Sequence, residues 1–126
     1  MSRLLVLVVE DEPSVMAFLR AALERGGYEV DAAENGTRAL EMLGRRNYGG
    51  VISDMRTPGG VDGAGVWEWV SIHRPELMKK LIFITGDIVN EETAASLRRT
   101  GAPFVEKPFR VQELIRTVER IFGKAE

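Results

Sequence analysis

The chain has 126 residues, of which 44% are hydrophobic and 29% charged, with a formal net charge of −2 and no cysteine. That length suits one domain with a core of its own, and the composition is ordinary for a globular protein. The charge balance, without any Lys/Arg-rich run, excludes a nucleic-acid platform, and the missing cysteines exclude disulfides and thiolate metal sites.

The first apolar run, Leu4–Val9, is far too short to span a bilayer, and the acids Glu10-Asp11-Glu12 follow it at once. It reads as a buried first strand, and a cytoplasmic protein without membrane contact is expected. Pro13 is placed to open a helix behind an acidic cap, with Val15, Phe18, Leu19 and Ala22 on one face and Gly26-Gly27 as its stop. A second strand is expected over Tyr28–Ala32, after which Asn35 caps a helix carrying Ala39, Leu40 and Leu43. The third strand, Gly50–Ser53, begins with the poor β-formers Gly49-Gly50, at some local cost, and leads into Asp54.

A third helix carries Val66, Trp69 and Val70 and ends before Pro75. At their spacing Trp67 and Trp69 cannot both face the core, so one is expected to be exposed. The sole histidine, His73, falls at the solvated end of this helix and is a poor candidate for phosphoryl relay. The fourth strand is Leu81–Thr85. Asn90 then caps a helix with Glu91 and Glu92 in its first turn, favoured by the helix dipole, and Gly101 closes it. A last short strand, Pro103–Val105, precedes a helix whose Val111, Leu114, Ile115, Val118, Ile121 and Phe122 share one face.

This alternation predicts an α/β fold in a single domain over residues 1–126, with its core at about 3–122. The expected architecture is a doubly wound, five-stranded parallel sheet of (βα)5, flavodoxin-like type, in the order 2-1-3-4-5. Such sheets bind ligands at the carboxyl ends of their strands, near the switch point. Glu10, Asp11, Asp54, Thr85 and Lys107 all fall at carboxyl ends. Clustered carboxylates repel unless a cation joins them, and an all-oxygen set suits Mg2+ or Mn2+ rather than zinc. Beside such an ion Asp54 is a competent nucleophile toward phosphorus, giving an acyl phosphate, with Lys107 and Thr85 placed for the phosphoryl oxygens. Helix capping by Glu10, Asp11 and Glu12 would explain neither Asp54 nor Lys107; Glu12, nearest the helix start, is expected to be only a cap.

The stretches Val8-Val9-Glu10-Asp11-Glu12, Ile52-Ser53-Asp54-Met55, Pro58-Gly59-Gly60-Val61-Asp62-Gly63, Phe83-Ile84-Thr85-Gly86 and Phe104-Val105-Glu106-Lys107-Pro108-Phe109 resemble those of receiver (response-regulator) domains in bacterial two-component signalling. The resemblance implies that Asp54 is the phosphoacceptor, that Asp11 and Asp54 bind Mg2+ directly, that Glu10 acts through metal-bound water, and that the Arg56 carbonyl completes the protein ligands. It implies Thr85 and Phe104 as a switch pair, and a face of the fourth helix, fifth strand and fifth helix that carries the change to a downstream protein. The phosphoryl donor would be a histidine kinase or its phosphotransfer domain. Phe-Ile-Thr-Gly-Asp and Gly-Ala-Pro-Phe-Val-Glu-Lys-Pro-Phe are most similar to receivers of hybrid sensor histidine kinases. Two departures stand out: Phe104 where many receivers have Tyr, and a Gly59-Gly60 stretch one residue longer than the commoner loop.

Arg56 and Asp87, each two residues past Asp54 and Thr85, are expected with Gly86 at the site entrance, where an ion pair would gate water. Three rivals follow from the same residues. A phosphatase of the haloacid-dehalogenase type shares the aspartyl nucleophile, but Arg56 stands where its second Asp belongs. A flavodoxin-like cofactor binder shares the topology, but no Ser/Thr-Gly phosphate loop follows the first strand here, and three acids there would repel a phosphate unless a metal intervened. A phosphorylation-independent pseudo-receiver would have no use for the retained acids, Thr85 and Lys107.

Overall fold

The computed structural model describes residues 3–57, 59–86 and 88–124. Strands β1 (Leu5–Val9), β2 (Glu29–Ala33), β3 (Gly50–Asp54), β4 (Leu81–Thr85) and β5 (Phe104–Glu106) alternate with helices α1 (Pro13–Arg25), α2 (Gly36–Arg45), α3 (Gly63–His73), α4 (Glu91–Thr100) and α5 (Val111–Phe122). A single 3-10 turn, Pro75–Leu77, precedes β4. The strands form one parallel sheet in the order β2-β1-β3-β4-β5, as expected from the sequence.

The central strands are apolar on both faces because each face is covered by helices. Leu7, Val51, Leu81 and Phe83 pack with Leu43, Val66, Val70 and Leu97 of α2, α3 and α4. Val6, Val8, Ile52, Ile82 and Ile84 pack on the other side with Leu19, Leu23, Leu114, Val118 and Phe122 of α1 and α5. Each of these buried aliphatic or aromatic side chains contributes roughly 1.5–3 kcal/mol of transfer free energy, offset largely by chain entropy. The capping reads at Asn35 and Asn90 hold: Asn35 accepts from Arg38 N at 2.8 Å and Asn90 from Thr93 N at 3.1 Å. Asp62, which was not expected as a cap, accepts from Gly65 N at 2.9 Å at the start of α3. Gly101 closes α4 in the left-handed conformation, φ 64°.

Several local expectations are corrected. Tyr28 belongs to the turn after α1, since its N–H donates to Leu23 O, while its buried hydroxyl donates to Gly123 O at 2.7 Å; β2 therefore starts one residue later. Strand β3 runs on through Asp54, and β5 is shifted to Phe104–Glu106. Glu12 occupies the N-cap position of α1 without a side-chain capping bond; Glu10 accepts from its N–H instead. Phe18 does not enter the core: it is 40% exposed and rests on the Phe109 ring, centroids 5.7 Å apart. Trp67 and Trp69 are both half-buried against one cluster, because they lean in from opposite edges of the stripe formed by Val66 and Val70. The Trp69 ring also stacks on His73 at 4.3 Å.

The glycine that opens β3 has a packing reason. A Cβ at Gly50 would lie 2.7 Å from the Phe122 ring, so the strand's poor propensity is exchanged for close approach of α5. Beside the edge strand β2, Tyr48 donates to Asp31 Oδ2 at 2.8 Å, and Arg46 holds the same oxygen at 2.8 Å. Burial, then the Asp31 hydrogen bond and charge, push the Tyr48 phenol well above its ordinary range. An unfolded tyrosine ionises near pH 10.0 while the folded one resists, so this contribution is intact below that pH and fades as pH rises through the folded value. Tyr48→Phe is expected to lose about 0.5–1.5 kcal/mol at neutral pH and to melt with a shallower alkaline decline than wild type. Thermal melts from pH 8 upward check this; parallel declines would contradict it.

Candidate phosphoryl-acceptor site

Parallel register brings the functional residues together. Val9 stands beside Ser53 and Asp54 beside Ile84, so the chain leaving β1 places Glu10 and Asp11 next to Asp54. Thr85 stands beside Glu106, so Lys107 emerges from β5 on the same rim. Backbone bonds fix the rim: Glu10 N donates to Ala33 O, Met55 N to Ile84 O, and Lys107 N to Thr85 O at 2.7 Å. Pro108 follows Lys107 across a cis peptide bond.

Glu10 and Asp54 are buried while Asp11 is exposed, and one oxygen from each of the three lies within 4.8 Å of the others. Lys107 Nζ bridges two of them, donating to Asp54 Oδ2 at 2.9 Å and to Glu10 Oε1 at 3.2 Å. The other Asp54 oxygen accepts from Arg56 N at 3.0 Å, and the other Glu10 oxygen from Glu12 N at 3.0 Å. Burial, aided by the Asp54 charge, raises the Glu10 carboxyl above its ordinary range against the pull of Glu12 N–H and Lys107. For Lys107 burial works the other way, but the hydrogen bond and charge of Asp54, and then of Glu10, win and hold the ammonium more strongly protonated than usual.

This donor set fits a hard divalent cation. Carboxylate oxygens converge from two strands, one of them on an exposed residue open to water, with no sulfur or imidazole among them. Thr85, at the end of β4, is buried. Phe104 at the start of β5 is 44% exposed, so its ring is turned outward.

Arg56 is exposed, and its Nε donates to Thr93 Oγ1 at 3.2 Å, tying the loop after β3 to the first turn of α4. Thr93 was not legible as a site neighbour, since nothing in the sequence links it to a residue so far upstream. Asp87, the expected partner of Arg56, lies outside the described residues. Gly86 lies exposed between Thr85 and that position.

Gly63 braces the site from below. Its N–H donates to Met55 O at 3.0 Å, and a Cβ there would lie 2.7 Å from Asp54 O and 2.8 Å from Met55 Cα. Backbone cannot yield as a flexible side chain can. Gly63→Ala is therefore expected to destabilise the domain by about 1–3 kcal/mol and to slow phosphoryl uptake by displacing Asp54. Urea unfolding checks the first effect, and an unchanged midpoint would contradict it.

Comparison with known proteins agrees with this geometry. The response regulator receiver domain family matches residues 6–119. An NtrX-like response regulator of Rickettsia typhi is 34% identical over 122 residues, covering 95% of this chain and 25% of that protein. The DNA-binding transcriptional regulator NtrC of Escherichia coli K12 is 31% identical over 121 residues, with the same coverages, 95% and 25%. The chain thus spans about a quarter of the length of these curated relatives. Among solved structures, NtrX from Brucella abortus superposes with a TM-score of 0.83 at 32% identity, covering 97% of this chain and 27% of that one. The magnesium-bound receiver domain of sensor histidine kinase PA1611 from Pseudomonas aeruginosa shares the fold, with a TM-score of 0.85 at 24% identity over 98% of this chain and 100% of that one. With a family match over most of its length and the acidic pocket at its sheet rim, the chain belongs to the response regulator receiver domain family.

Proposed function

We propose that this domain takes a phosphoryl group onto Asp54 from a phosphohistidine on a histidine kinase or its phosphotransfer domain. The observation that carries the reading is the convergence of three strand ends on one carboxylate, with Glu10 and Asp11 beside it and Lys107 Nζ 2.9 Å away. An Asp54 carboxylate oxygen attacks phosphorus, a P–O bond forms, and the P–N bond breaks. The electron pair leaves on the imidazole nitrogen, which takes up a proton. Arg56 N–H holds one Asp54 oxygen and so orients the other. As the Asp54 carboxylate charge is lost in the acyl phosphate (a mixed anhydride), Lys107 is released to pair with a phosphoryl oxygen. Asp11, Asp54 and the Arg56 carbonyl, with Glu10 through water, would hold Mg2+; Mn2+ suits the same oxygens. When bound, the ion supplies positive charge that offsets the crowded carboxylates and the phosphoryl oxygens.

Thr85 and Phe104 form the switch pair in this reading: Thr85 reaches for the phosphoryl group and the outward Phe104 ring turns in behind it. The surface of α4, β5 and α5 then presents the change to a downstream protein partner. Residues 1–126 are one receiver domain acting in the cytoplasm, through protein contacts rather than nucleic acid. A place within a hybrid histidine kinase is supported by the sequence of the Phe83–Asp87 and Gly101–Phe109 stretches. The similarity to NtrX-like and NtrC proteins supports a second context, the receiver of a longer transcriptional regulator. No helix among the described residues is long and apolar enough to cross a membrane.

Incubation with a small phosphoryl donor, with and without Mg2+, followed by intact-protein mass, tests this reading. One added phosphoryl group that requires the metal is expected. Rapid donor hydrolysis with no trapped adduct would support the aspartyl phosphatase instead, and no reaction with donor or kinase a pseudo-receiver.

A further inference from the structure

The sheet ends at β2, and that edge is not blunted. Glu29 N donates to Leu4 O and Ala33 O accepts from Glu10 N, so Glu29, Asp31 and Ala33 direct their backbone toward β1. Parallel ladders alternate, so the N–H and C=O of Val30 and Ala32 point the other way, where no strand follows among the described residues. A groove of about 430 Å³ runs along this edge, and four arginines and one carboxylate border it.

The arginines come from separate parts of the chain: Arg20 from α1, Arg38 and Arg45 from α2, Arg46 from the turn after it. Arg46 is neutralised by Asp31 at 2.8 Å. Arg20 and Arg38 meet only exposed acids of their own helices, Glu24 at 3.8 Å and Glu41 at 3.7 Å, contacts worth little in water. Arg45 has no ion-pair partner among the described residues. The groove thus carries surplus positive charge directly beside unused main-chain donors and acceptors. Neither feature belongs to the Asp54 site.

We propose that the β2 edge is a docking surface for an extended acidic segment of a partner protein, which adds to the sheet as a sixth strand. Main-chain bonds to Val30 and Ala32 supply register, and carboxylates on alternate residues pair with Arg38 and Arg45 on the α2 side. The residues between them face the α1 side, where Val30 is buried and Arg20 is the single one of the groove's four arginines, so apolar residues suit those positions. The preferred segment therefore alternates acid with apolar residue.

The test uses the 15N-labelled domain and a blocked peptide of alternating Val and Glu, about eight residues long. Saturable shifts and slowed exchange of the Val30 and Ala32 amides are expected, weakened about tenfold in the Arg38→Glu/Arg45→Glu double variant and by added salt. A Val-Lys peptide should leave both amides unmoved. Ala32→Pro removes one outward N–H, which makes no bond to β1, without changing charge and should weaken binding likewise. Unchanged Val30 and Ala32 amides would overturn the proposal. So would equal binding by the double variant, or full competition by pyrophosphate or a short single-stranded DNA, which would mark a general polyanion patch.

Discussion

Asp54→Asn is expected to abolish phosphoryl uptake, lowering its rate by more than about a thousandfold, because the amide has no nucleophilic charge to offer phosphorus. The fold should survive. Arg56 N–H can still be accepted by the amide oxygen, and removal of one carboxylate relieves the repulsion that Asp54 exerts on Glu10. Metal-free stability should therefore stay within about 1 kcal/mol of wild type. Stabilisation by Mg2+, read as the rise in melting temperature with added metal, should shrink, since one of three carboxylates is gone. Uptake at the wild-type rate in this variant would remove Asp54 from its assigned role.

Lys107→Ala should act on both stability and chemistry, and the two effects separate by metal. Lys107 is the cation that joins buried Glu10 to Asp54, two residues whose side chains are 0% and 11% exposed. Without it the carboxylates face each other unpaired. Because the lysine itself remains partly exposed, the expected loss is about 1–3 kcal/mol, below the range for a fully buried pair. Mg2+ should restore much of that loss by supplying charge at the same oxygens. Uptake should not be restored: a missing charge-assisted bond to a phosphoryl oxygen costs roughly 10–100-fold in rate. Melts and uptake rates measured with and without Mg2+ separate the two, and full kinetic rescue by metal would contradict a direct role for Lys107.

What the sequence could reveal followed from local pattern. Short apolar runs bounded by Gly, Pro and acids placed all five strands to within a residue or two, because strands covered on both faces carry few polar residues. Asn35 and Asn90 were legible as caps because capping is decided within four residues. Asp54, Thr85 and Lys107 stood out because each ends an apolar strand, where packing gives no reason for a charged or hydroxyl group. Contacts between distant segments were not legible. Nothing local shows that Lys107 reaches Glu10 across 97 positions, or that Arg56 turns to Thr93 rather than toward the sheet rim. Phe18 misled because helical periodicity gives a face but not its edge, and at that edge the ring meets Phe109 instead of the core. The arginine groove at β2 was hidden for the same reason. Its cations are spread along the sequence and gather only once α1 and α2 flank the sheet edge.

The most direct measurement is to locate the phosphoryl group. After phosphorylation by a small donor with Mg2+, borohydride reduction converts an aspartyl phosphate to homoserine, and fragment masses then identify the modified residue. Conversion confined to Asp54, and lost when Mg2+ is chelated, is the predicted result. Conversion at Asp11, a stable phosphate on His73 or Ser53, or phosphorylation independent of metal would contradict the account.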